Sequence, residues 1–325
     1  MILQIPLNPL QEKYLRKSGL LFPDEQILEY SKAGEGNMNV VVRLKTEDRS
    51  LILKQSRPFV NKYPTIPAPL GRIFIEDDYY RIINLHEFLS GFSPKIILRD
   101  KKNHLVAMDD LGIGADFIGI YSKKINLSPD EIATLPEYLL SLHKLEIRNF
   151  PDNMDMKKLN HEHIFFYPFM EFNGFDLDSI QPGLQSMSMK FKTDLALKNA
   201  VKALGKRYLQ KGKHLLHGDF YPGSWIRVNS GLKVIDPEFA FMGDVEFDLG
   251  VLIAHLKMAK TNPETIQNIL GRYTSKSPID EKLLHQYTGT EILRRLIGLA
   301  QLPLALTLKE KSALADEASK LILKP

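Results

Sequence analysis

Apolar and polar positions follow two different patterns along the chain. In the N-terminal part, short apolar runs alternate with turns rich in glycine, asparagine and lysine, a pattern typical of β-strands. One longer stretch has apolar positions three or four residues apart, as in an amphipathic helix. The pattern predicts strands at 27–33, 40–45, 50–54, 96–98 and 105–108, and a helix at 71–89.

Helical periodicity dominates the rest of the chain. The first long helix opens with Ser-Pro-Asp-Glu, which supplies a capping residue, a proline at the first helical position and an acidic first turn. Two short strands flank the turn Asn-Ser-Gly that begins at Asn229. The pattern predicts helices at 128–144, 189–210, 246–260, 263–273 and 281–300, and strands at 225–228 and 232–235. The predicted fold class is α+β, with a small antiparallel-sheet lobe at 1–109 and a larger helical lobe at 110–325.

Composition narrows the class of protein. Of the 325 residues, 44% are hydrophobic and 25% are charged, as in soluble globular proteins. The net charge is +4, but the sequence lacks the dense run of basic residues that is typical of a nucleic-acid binder. The absence of cysteine excludes disulfides, thiolate catalysis and cysteine–zinc sites. The sequence contains neither a secretory signal pattern nor an apolar run of about 18 residues. We expect a cytoplasmic protein with no nucleic-acid or membrane partner.

Two acidic motifs carry the strongest chemical signal. Asp219 lies in the loop HGDFYPGS, and Asp236 and Glu238 follow the next predicted strand hairpin in VIDPEF. In kinase-like folds, an acid in a His-x-Asp loop orients the attacking hydroxyl, and a second acid after a hairpin holds magnesium against the phosphates. The ordered pair of motifs therefore favours phosphoryl transfer.

The stretches HGDFYPGSWI, VIDPEFAF and EFDLG resemble methylthioribose kinases, within the wider aminoglycoside and choline phosphotransferase group. The resemblance implies a two-lobed protein-kinase-like fold, ATP and Mg²⁺ as cofactors, and a possible homodimer. It also implies that Asp219 is the catalytic base and that Asp236 and Glu238 bind magnesium, with Ser224 assisting. Hard carboxylate oxygens suit that metal.

The N-terminal part is similar to the same family. Lys54, in LILKQSRPF, corresponds to the lysine that contacts the ATP phosphates, and Glu76 on the following helix is the expected carboxylate partner. The segment SKAGEGNMN resembles the glycine loop that covers the nucleotide, because glycine lets backbone N–H groups approach phosphate oxygens. The adenine is expected against the backbone near the end of the last predicted strand of this part. The further residues assigned to nucleotide binding are Gly34, Gly36, Asn37, Met108, Asp109 and Asp110.

Late in the chain, the run RRLIGLA also resembles the methylthioribose kinases, in which the arginine pair lies at the substrate and the transferring phosphate. Arg294 is the expected catalytic arginine, and Arg294, Arg295 and Tyr221 are the expected substrate contacts. Asp248, in the motif FDLG, is expected to brace the catalytic loop. The histidines on predicted helices are interpreted as packing or surface residues: His143, His255 and His285.

Two departures from the family fall where specificity is expected. The loop at 61–69 lacks the family's tryptophan, and the family's Leu-His-Thr after the catalytic aspartate is Phe-Tyr-Pro here. An aminoglycoside, choline or homoserine acceptor is therefore an alternative to a methylthioribose-like sugar. The basic C-terminal helices disfavour a polycationic aminoglycoside. A choline-like amine would need an aromatic cage, for which Tyr221, Trp225, Tyr167 and Phe165 are available. A non-catalytic nucleotide-binding module is the alternative of a different class.

Overall fold

The structure, a computed structural model, describes residues 1–34 and 38–325. Contacts between Cα atoms divide the chain into two units, the first formed by 1–114 with 228–239 and the second by 115–227 with 240–325. The strands are β1 (Ile27–Lys32), β2 (Asn39–Thr46), β3 (Ser50–Ser56), β4 (Phe59–Val60), β5 (Tyr63–Pro67), β6 (Ile96–Asp100), β7 (Leu105–Asp109), β8 (Ala115–Asp116), β9 (His214–Leu216), β10 (Trp225–Val228), β11 (Gly231–Val234) and β12 (Phe241–Gly243).

The helices, again in chain order, are α1 (Pro9–Lys17), α2 (Arg72–Ile83), α3 (Glu87–Ser90), α4 (Pro129–His143), α5 (Met154–His161), α6 (Leu184–Lys192), α7 (Leu195–Tyr208), α8 (Val245–Met258), α9 (Pro263–Thr274), α10 (Glu281–Ile297) and α11 (Leu308–Leu323). Among the described residues, none of these helices is long and apolar enough to cross a bilayer.

The main sheet of the first unit is antiparallel, with its strands in the order β1-β2-β3-β7-β6. Successive side chains of a strand point to opposite faces, so Leu51 and Leu53 of β3 lie on one face and Lys54 on the other. The leucine face packs against α1 through a cluster that includes Leu15. The opposite face packs against α2. The alternation of β3 therefore turns Lys54 toward α2.

The segment 228–239 completes the first unit. Its strand β11 is joined to the loop after α3, where the N–H of Val234 donates to the carbonyl oxygen of Phe92 at 2.9 Å. A short 3₁₀ turn, Pro237–Phe239, then packs against α2. This contact places the Asp-Pro-Glu motif in the same unit as Lys54.

Helices dominate the second unit. The helix α10 packs against α8 and α11, and α4 packs against α9. Two short antiparallel pairs accompany the helices, β9 with β12 and β8 with β10. The loop at 217–224 connects β9 to β10, so both of its ends are anchored in these pairs.

Two predicted helices were wrong in their bounds. The predicted helix at 189–210 is two helices, because the side chain of Asp194 accepts from the N–H of Leu197 at 3.0 Å and so caps a new helix start. The predicted helix at 71–89 ends at Ile83. There the Asn84 side chain donates to the carbonyl oxygen of Pro94, which draws the chain into a turn.

The helices α1 and α11 were not predicted. Each begins with a capping box, formed by Asn8 and Gln11 in α1 and by Thr307 and Glu310 in α11. The signal was present in the sequence, since a capping residue followed three positions later by Glu or Gln marks a helix start.

Docking of α1 on the sheet should contribute substantially to stability. Leu15 is completely buried, so Leu15→Ala should lower the free energy of unfolding by roughly 2–5 kcal/mol through lost contacts and a residual cavity. Leu10 of the same helix is 78% exposed, and Leu10→Ala should change it by less than about 0.5 kcal/mol. Chemical denaturation followed by circular dichroism checks both. Equal effects of the two substitutions would contradict the docking.

Candidate active site

Lys54 is the centre of a buried ion cluster in the first unit. Its side chain is 5% exposed, and its Nζ lies 2.8 Å from Glu76 Oε1 and 2.5 Å from Asp236 Oδ1. Glu76 comes from α2, and Asp236 from the segment after β11. The expected contact between Lys54 and Glu76 is present, and Asp236 is a second partner of the same ammonium group.

Burial and charge act in opposite directions on this cluster. Burial raises the pKa of Glu76 to about 7, against the attraction of Lys54. Burial alone would lower the pKa of Lys54, but the carboxylates of Asp236, Glu76 and Glu238 outweigh it and raise that pKa above its ordinary value. The lysine is therefore held as a charged ammonium group inside the fold.

Asp236 has an uncommon backbone conformation. Its φ of 63° lies in the left-handed region, which favours glycine, and its N–H donates to the hydroxyl of Tyr80 at 3.2 Å. The Asp236 side chain is 49% exposed. Residues held in such conformations cost of order 1–3 kcal/mol and tend to occur at functional sites. The conformation turns a carboxylate that touches Lys54 partly toward solvent.

Glu238 is buried and contacts Asn39 and Arg72 of the same unit. The side-chain amide of Asn39 donates to its Oε2 at 2.9 Å, and Arg72 Nε lies 3.4 Å from the same oxygen. Burial raises the pKa of Glu238. Arg72 in turn donates to the carbonyl oxygens of Met38 and Pro69, both at 2.7 Å. The arginine thus ties Glu238 to the chain on both sides of β3.

Sequence reasoning assigned no role to Arg72 or Asn39. Arg72 and Glu76 stand four residues apart on α2. That spacing on a helix places both side chains on one face, which is the signal that could have linked Arg72 to the cluster. Nothing in the local sequence marks Asn39 as a partner of Glu238.

The acids of the cluster fit a divalent cation. Glu76, Asp236 and Glu238 carry three negative charges when ionised, against two positive charges on Lys54 and Arg72. In the described part of the chain, no group of three or more His, Cys, Asp or Glu side chains could hold a metal ion by itself. Magnesium usually takes only one or two carboxylates and completes its shell with water and substrate phosphates. The excess negative charge and the exposed Asp236 are consistent with that requirement.

The remaining predicted nucleotide contacts are placed as follows. Gly34 follows β1 with φ of 76°, and Gly36 and Asn37 lie outside the described residues. Met108 and Asp109 end strand β7, where the N–H of Asp109 donates to the carbonyl oxygen of Lys95. Their contact with the adenine stays a prediction.

Asp110 has a structural role in this unit. Its carboxylate accepts from Arg43 Nε at 2.6 Å and from the Ser50 hydroxyl at 2.6 Å. Burial opposes ionisation, but these hydrogen bonds prevail and lower the pKa of Asp110. The Asp110 side chain joins β2, β3 and the residues that follow β7.

In the second unit, the loop that carries Asp219 is fixed through its backbone. Asp248 on α8 accepts from the N–H of His217 at 2.7 Å and of Gly218 at 3.0 Å. The prediction that Asp248 braces this loop is confirmed. Ser224 donates its hydroxyl hydrogen to the carbonyl oxygen of Asp219 at 2.8 Å, so it also holds the loop. Its assistance to a metal ion stays a prediction.

Arg295, rather than Arg294, lies beside Asp219. Its Nη2 is 3.7 Å from Asp219 Oδ1, and its guanidinium carbon is 5.0 Å above the centre of the Tyr221 ring. Arg294 instead donates to Glu291 Oε2 at 3.0 Å and approaches Asn160 Oδ1 at 3.4 Å. Consecutive positions on a helix point about 100° apart, so only one of the two arginines can face the loop.

A second buried network supports these arginines and was missed by sequence reasoning. Glu291 Oε1 accepts from Arg295 Nε at 2.6 Å and lies 3.0 Å from Nε2 of His255, which was assigned to packing or surface. Burial lowers the pKa of His255 to about 4. Burial opposes the ionisation of Glu291, but the two arginines prevail and hold its pKa well below the ordinary value. Single polar residues spread over two helices give no sequence motif.

Comparison with known proteins assigns the family. The model of the phosphotransferase enzyme family matches residues 29–281, well over half of the chain. The chain belongs to this family. The family resemblance found in the sequence is thereby confirmed.

Curated relatives of this chain are methylthioribose kinases. That of Exiguobacterium sibiricum is 30% identical over 246 residues, which cover 70% of this chain and 60% of the relative. That of a Geobacillus species is 26% identical over 328 residues, which cover 86% of this chain and 80% of the relative. The chain spans about 60–64% of the length of several of the methylthioribose kinases that it matches.

The fold of this chain is shared with solved kinases. The choline kinase LicA from Streptococcus pneumoniae has a TM-score of 0.53 and 18% identity, over 97% of this chain and all of that one. At this identity the likeness concerns the fold alone. It confirms the predicted α+β, protein-kinase-like fold class.

The neutral His255 should make stability depend on pH. Its pKa is about 4 in the fold against about 6.5 in the unfolded chain, so its contribution is complete above pH 6.5 and is lost as pH falls toward 4. His255→Gln should therefore reduce the loss of unfolding free energy between pH 7 and pH 5 by roughly 2 kcal/mol. His285→Gln, at a partly exposed position of α10, is the control. An unchanged pH dependence in His255→Gln, measured by urea denaturation, would show that the ring is not held neutral.

Proposed function

We propose that this phosphotransferase is an ATP-dependent kinase that transfers the γ-phosphate to a hydroxyl of a small sugar-like metabolite, with a methylthioribose-like sugar as the best candidate. The observation that carries the proposal is Lys54, held charged by Glu76 and Asp236 within one unit. A lysine fixed by a helix glutamate, next to an acid after a strand hairpin, is the arrangement by which kinase folds grip a triphosphate. The methylthioribose kinases among the relatives support the sugar acceptor.

In this proposal, the first unit binds the nucleotide. Lys54 contacts the phosphates, and Glu76 keeps its ammonium group from turning away. Gly34, Gly36 and Asn37 are assigned to the triphosphate, and the backbone of residues 108–110 to the adenine. Asp236 and Glu238 would hold magnesium, which when bound neutralises charge on the phosphate oxygens.

The second unit supplies the residues that act on the acceptor. Asp219 aligns the acceptor hydroxyl and accepts its proton as the oxygen attacks the γ-phosphate, and ADP leaves. Arg295 stabilises negative charge at the transferring group, with Arg294 and Tyr221 in contact with the acceptor. Catalysis of this kind depends on positioning and electrostatics, because phosphoryl-transfer transition states are loose.

Turnover against a panel of acceptors tests the proposed function. The purified protein is incubated with ATP and Mg²⁺ and with 5-methylthioribose, choline, homoserine or kanamycin, and ³¹P NMR follows the loss of the γ-phosphate and the appearance of a phosphomonoester. We expect transfer to 5-methylthioribose. Transfer only to the hydroxyl of an amine-bearing alcohol, that is choline, homoserine or kanamycin, would move the acceptor to the choline, homoserine or aminoglycoside class. Binding of ATP with no transfer to any acceptor would contradict the kinase function and favour a non-catalytic nucleotide-binding module.

Asp219→Asn should lower kcat by about 10²–10⁴-fold, because the amide cannot accept the proton of the attacking hydroxyl. Its affinity for ATP should stay close to that of the wild type, since nucleotide contacts are assigned to the other unit. Steady-state kinetics and calorimetry measure the two quantities. Asp130→Asn, at an exposed position of α4, is the matched control. A near-normal kcat in Asp219→Asn would show that Asp219 is not the base.

Asp236→Asn should weaken ATP binding in the presence of Mg²⁺ by about tenfold or more, because one metal-binding oxygen loses its charge. In EDTA, the wild type and the variant should bind ATP with similar affinity. Calorimetric titrations with and without the metal give the comparison, and Asp24→Asn, at an exposed position, serves as the control. If the substitution weakens binding equally in both conditions, Asp236 does not act through magnesium.

A further inference from the structure

Glu291 of α10 is a buried acid that contacts three other side chains. It is 2% exposed, its Oε2 accepts from Arg294 Nη1 at 3.0 Å, and its Oε1 accepts from Arg295 Nε at 2.6 Å. The arginines stand three and four residues later on the same helix, the spacing at which side chains meet on a helix surface. Glu291 therefore holds both guanidinium groups from the helix that carries them.

Glu291 is itself fixed from the neighbouring helix. His255 of α8 lies with Nε2 3.0 Å from Glu291 Oε1 and with Nδ1 2.5 Å from the hydroxyl of Tyr121. A neutral imidazole carries one N–H, so a hydrogen on Nε2 donates to the carboxylate, and Nδ1 accepts from the tyrosine hydroxyl. The two hydrogen bonds that link Tyr121, His255 and Glu291 leave the Glu291 carboxylate little freedom to move.

The guanidinium of Arg295 is held on its edge and on its face. Glu291 binds its Nε, and its guanidinium carbon lies 5.0 Å from the centre of the Tyr221 ring. The Tyr221 ring is in turn 5.3 Å from the ring of His255. In this position Arg295 Nη2 stands 3.7 Å from Asp219 Oδ1, within ion-pair range but beyond hydrogen-bonding distance.

Charge explains why this separation needs a restraint. Two arginines meet one carboxylate at Glu291, so an excess positive charge remains, and Asp219 is a further acid within ion-pair range of Arg295. Without Glu291, Arg295 would be drawn onto Asp219 and would form a direct hydrogen-bonded ion pair. Such a pair would occupy a carboxylate oxygen that an acceptor hydroxyl must reach.

We propose that Glu291 is a positioning residue that holds Arg295 at a distance from Asp219 and so keeps the Asp219 carboxylate accessible to the acceptor hydroxyl. This inference rests on the proposed kinase function. Glu291 acts through Arg295 and does not itself touch substrate. His255 and Tyr121 contribute by fixing Glu291.

Glu291→Gln keeps the shape of the side chain and removes its charge. With ATP–Mg²⁺ and 5-methylthioribose as the probe, we expect kcat to fall by about 10- to 100-fold, because a displacement of about 1 Å near the reacting groups has effects of this size. The KM for ATP should stay within about twofold, since ATP contacts are assigned to the other unit. Glu131→Gln is the matched control, because Glu131 is also buried and paired with an arginine, Arg227. An unchanged kcat in Glu291→Gln would overturn the proposal.

A double-mutant comparison separates positioning from a general structural role. If Glu291 acts only through Arg295, then Glu291→Gln should cause no further loss of kcat in an Arg295→Met background. A merely structural role would lower both backgrounds by the same factor. Equal factors in the two backgrounds would therefore contradict the proposal.

Two further measurements keep the test independent of folding and of the acceptor. Tyr121→Phe removes only the hydroxyl that fixes His255, and we expect a fall in kcat of about fivefold. An unchanged kcat in this variant would count against the proposal even if Glu291→Gln does not fold.

In ¹⁵N NMR, the Arg295 Nε–H signal is assigned by its loss in Arg295→Met. Its hydrogen should exchange slowly with solvent in the wild type and rapidly in Glu291→Gln. Equal exchange would refute the restraint. Failure of the wild type to phosphorylate any acceptor would refute the kinase function separately.

Discussion

The first unit depends on one interaction, the buried contact between the ammonium group of Lys54 and the carboxylates of Glu76 and Asp236. Burying a charged group costs several kcal/mol unless partners surround it, and removing one partner leaves an uncompensated charge. Glu76 must therefore face the sheet from α2, and the segment after β11 must bring Asp236 to the same place. The left-handed backbone of Asp236 and the position of Arg72 are consistent with this demand, because both help to gather acids around one lysine. The remaining negative charge is what a divalent cation would compensate.

Most strands and the longer helices could be predicted from periodicity, since β2, β3, β7 and β10 alternate or run apolar between clear turn signals. The predictions failed where one side chain decides the local structure. Asp194 interrupts an otherwise continuous helical pattern by capping a new helix, and Asn84 ends α2 through a bond to a distant carbonyl group. The capping boxes that begin α1 and α11 were present in the sequence, and both helices could have been predicted from them.

The candidate site was predictable where its residues form motifs. Short, recognisable sequence motifs contain Lys54, Asp219 and Asp236. Glu76 could be predicted as the partner of Lys54 because it lies on the first helix after the strand that carries the lysine. Four buried polar residues of the site were missed. Partners on other secondary-structure elements bind Arg72, Asn39 and His255, and Glu291 precedes the arginine motif on the same helix. A single buried polar residue has no periodic pattern in the sequence. The choice between the two adjacent arginines also needed coordinates, since helix rotation decides which one faces the Asp219 loop.

The central claim, that Lys54 is a triphosphate-binding cation held in place by Glu76 and Asp236, is tested most directly by the affinity for ATP–Mg²⁺ after Lys54→Met. Calorimetry should show at least roughly tenfold weaker binding, because one charge-assisted phosphate contact is lost. Lys45→Met, which removes an exposed lysine from the neighbouring strand, should leave the affinity unchanged. Full affinity in a correctly folded Lys54→Met protein would contradict the account.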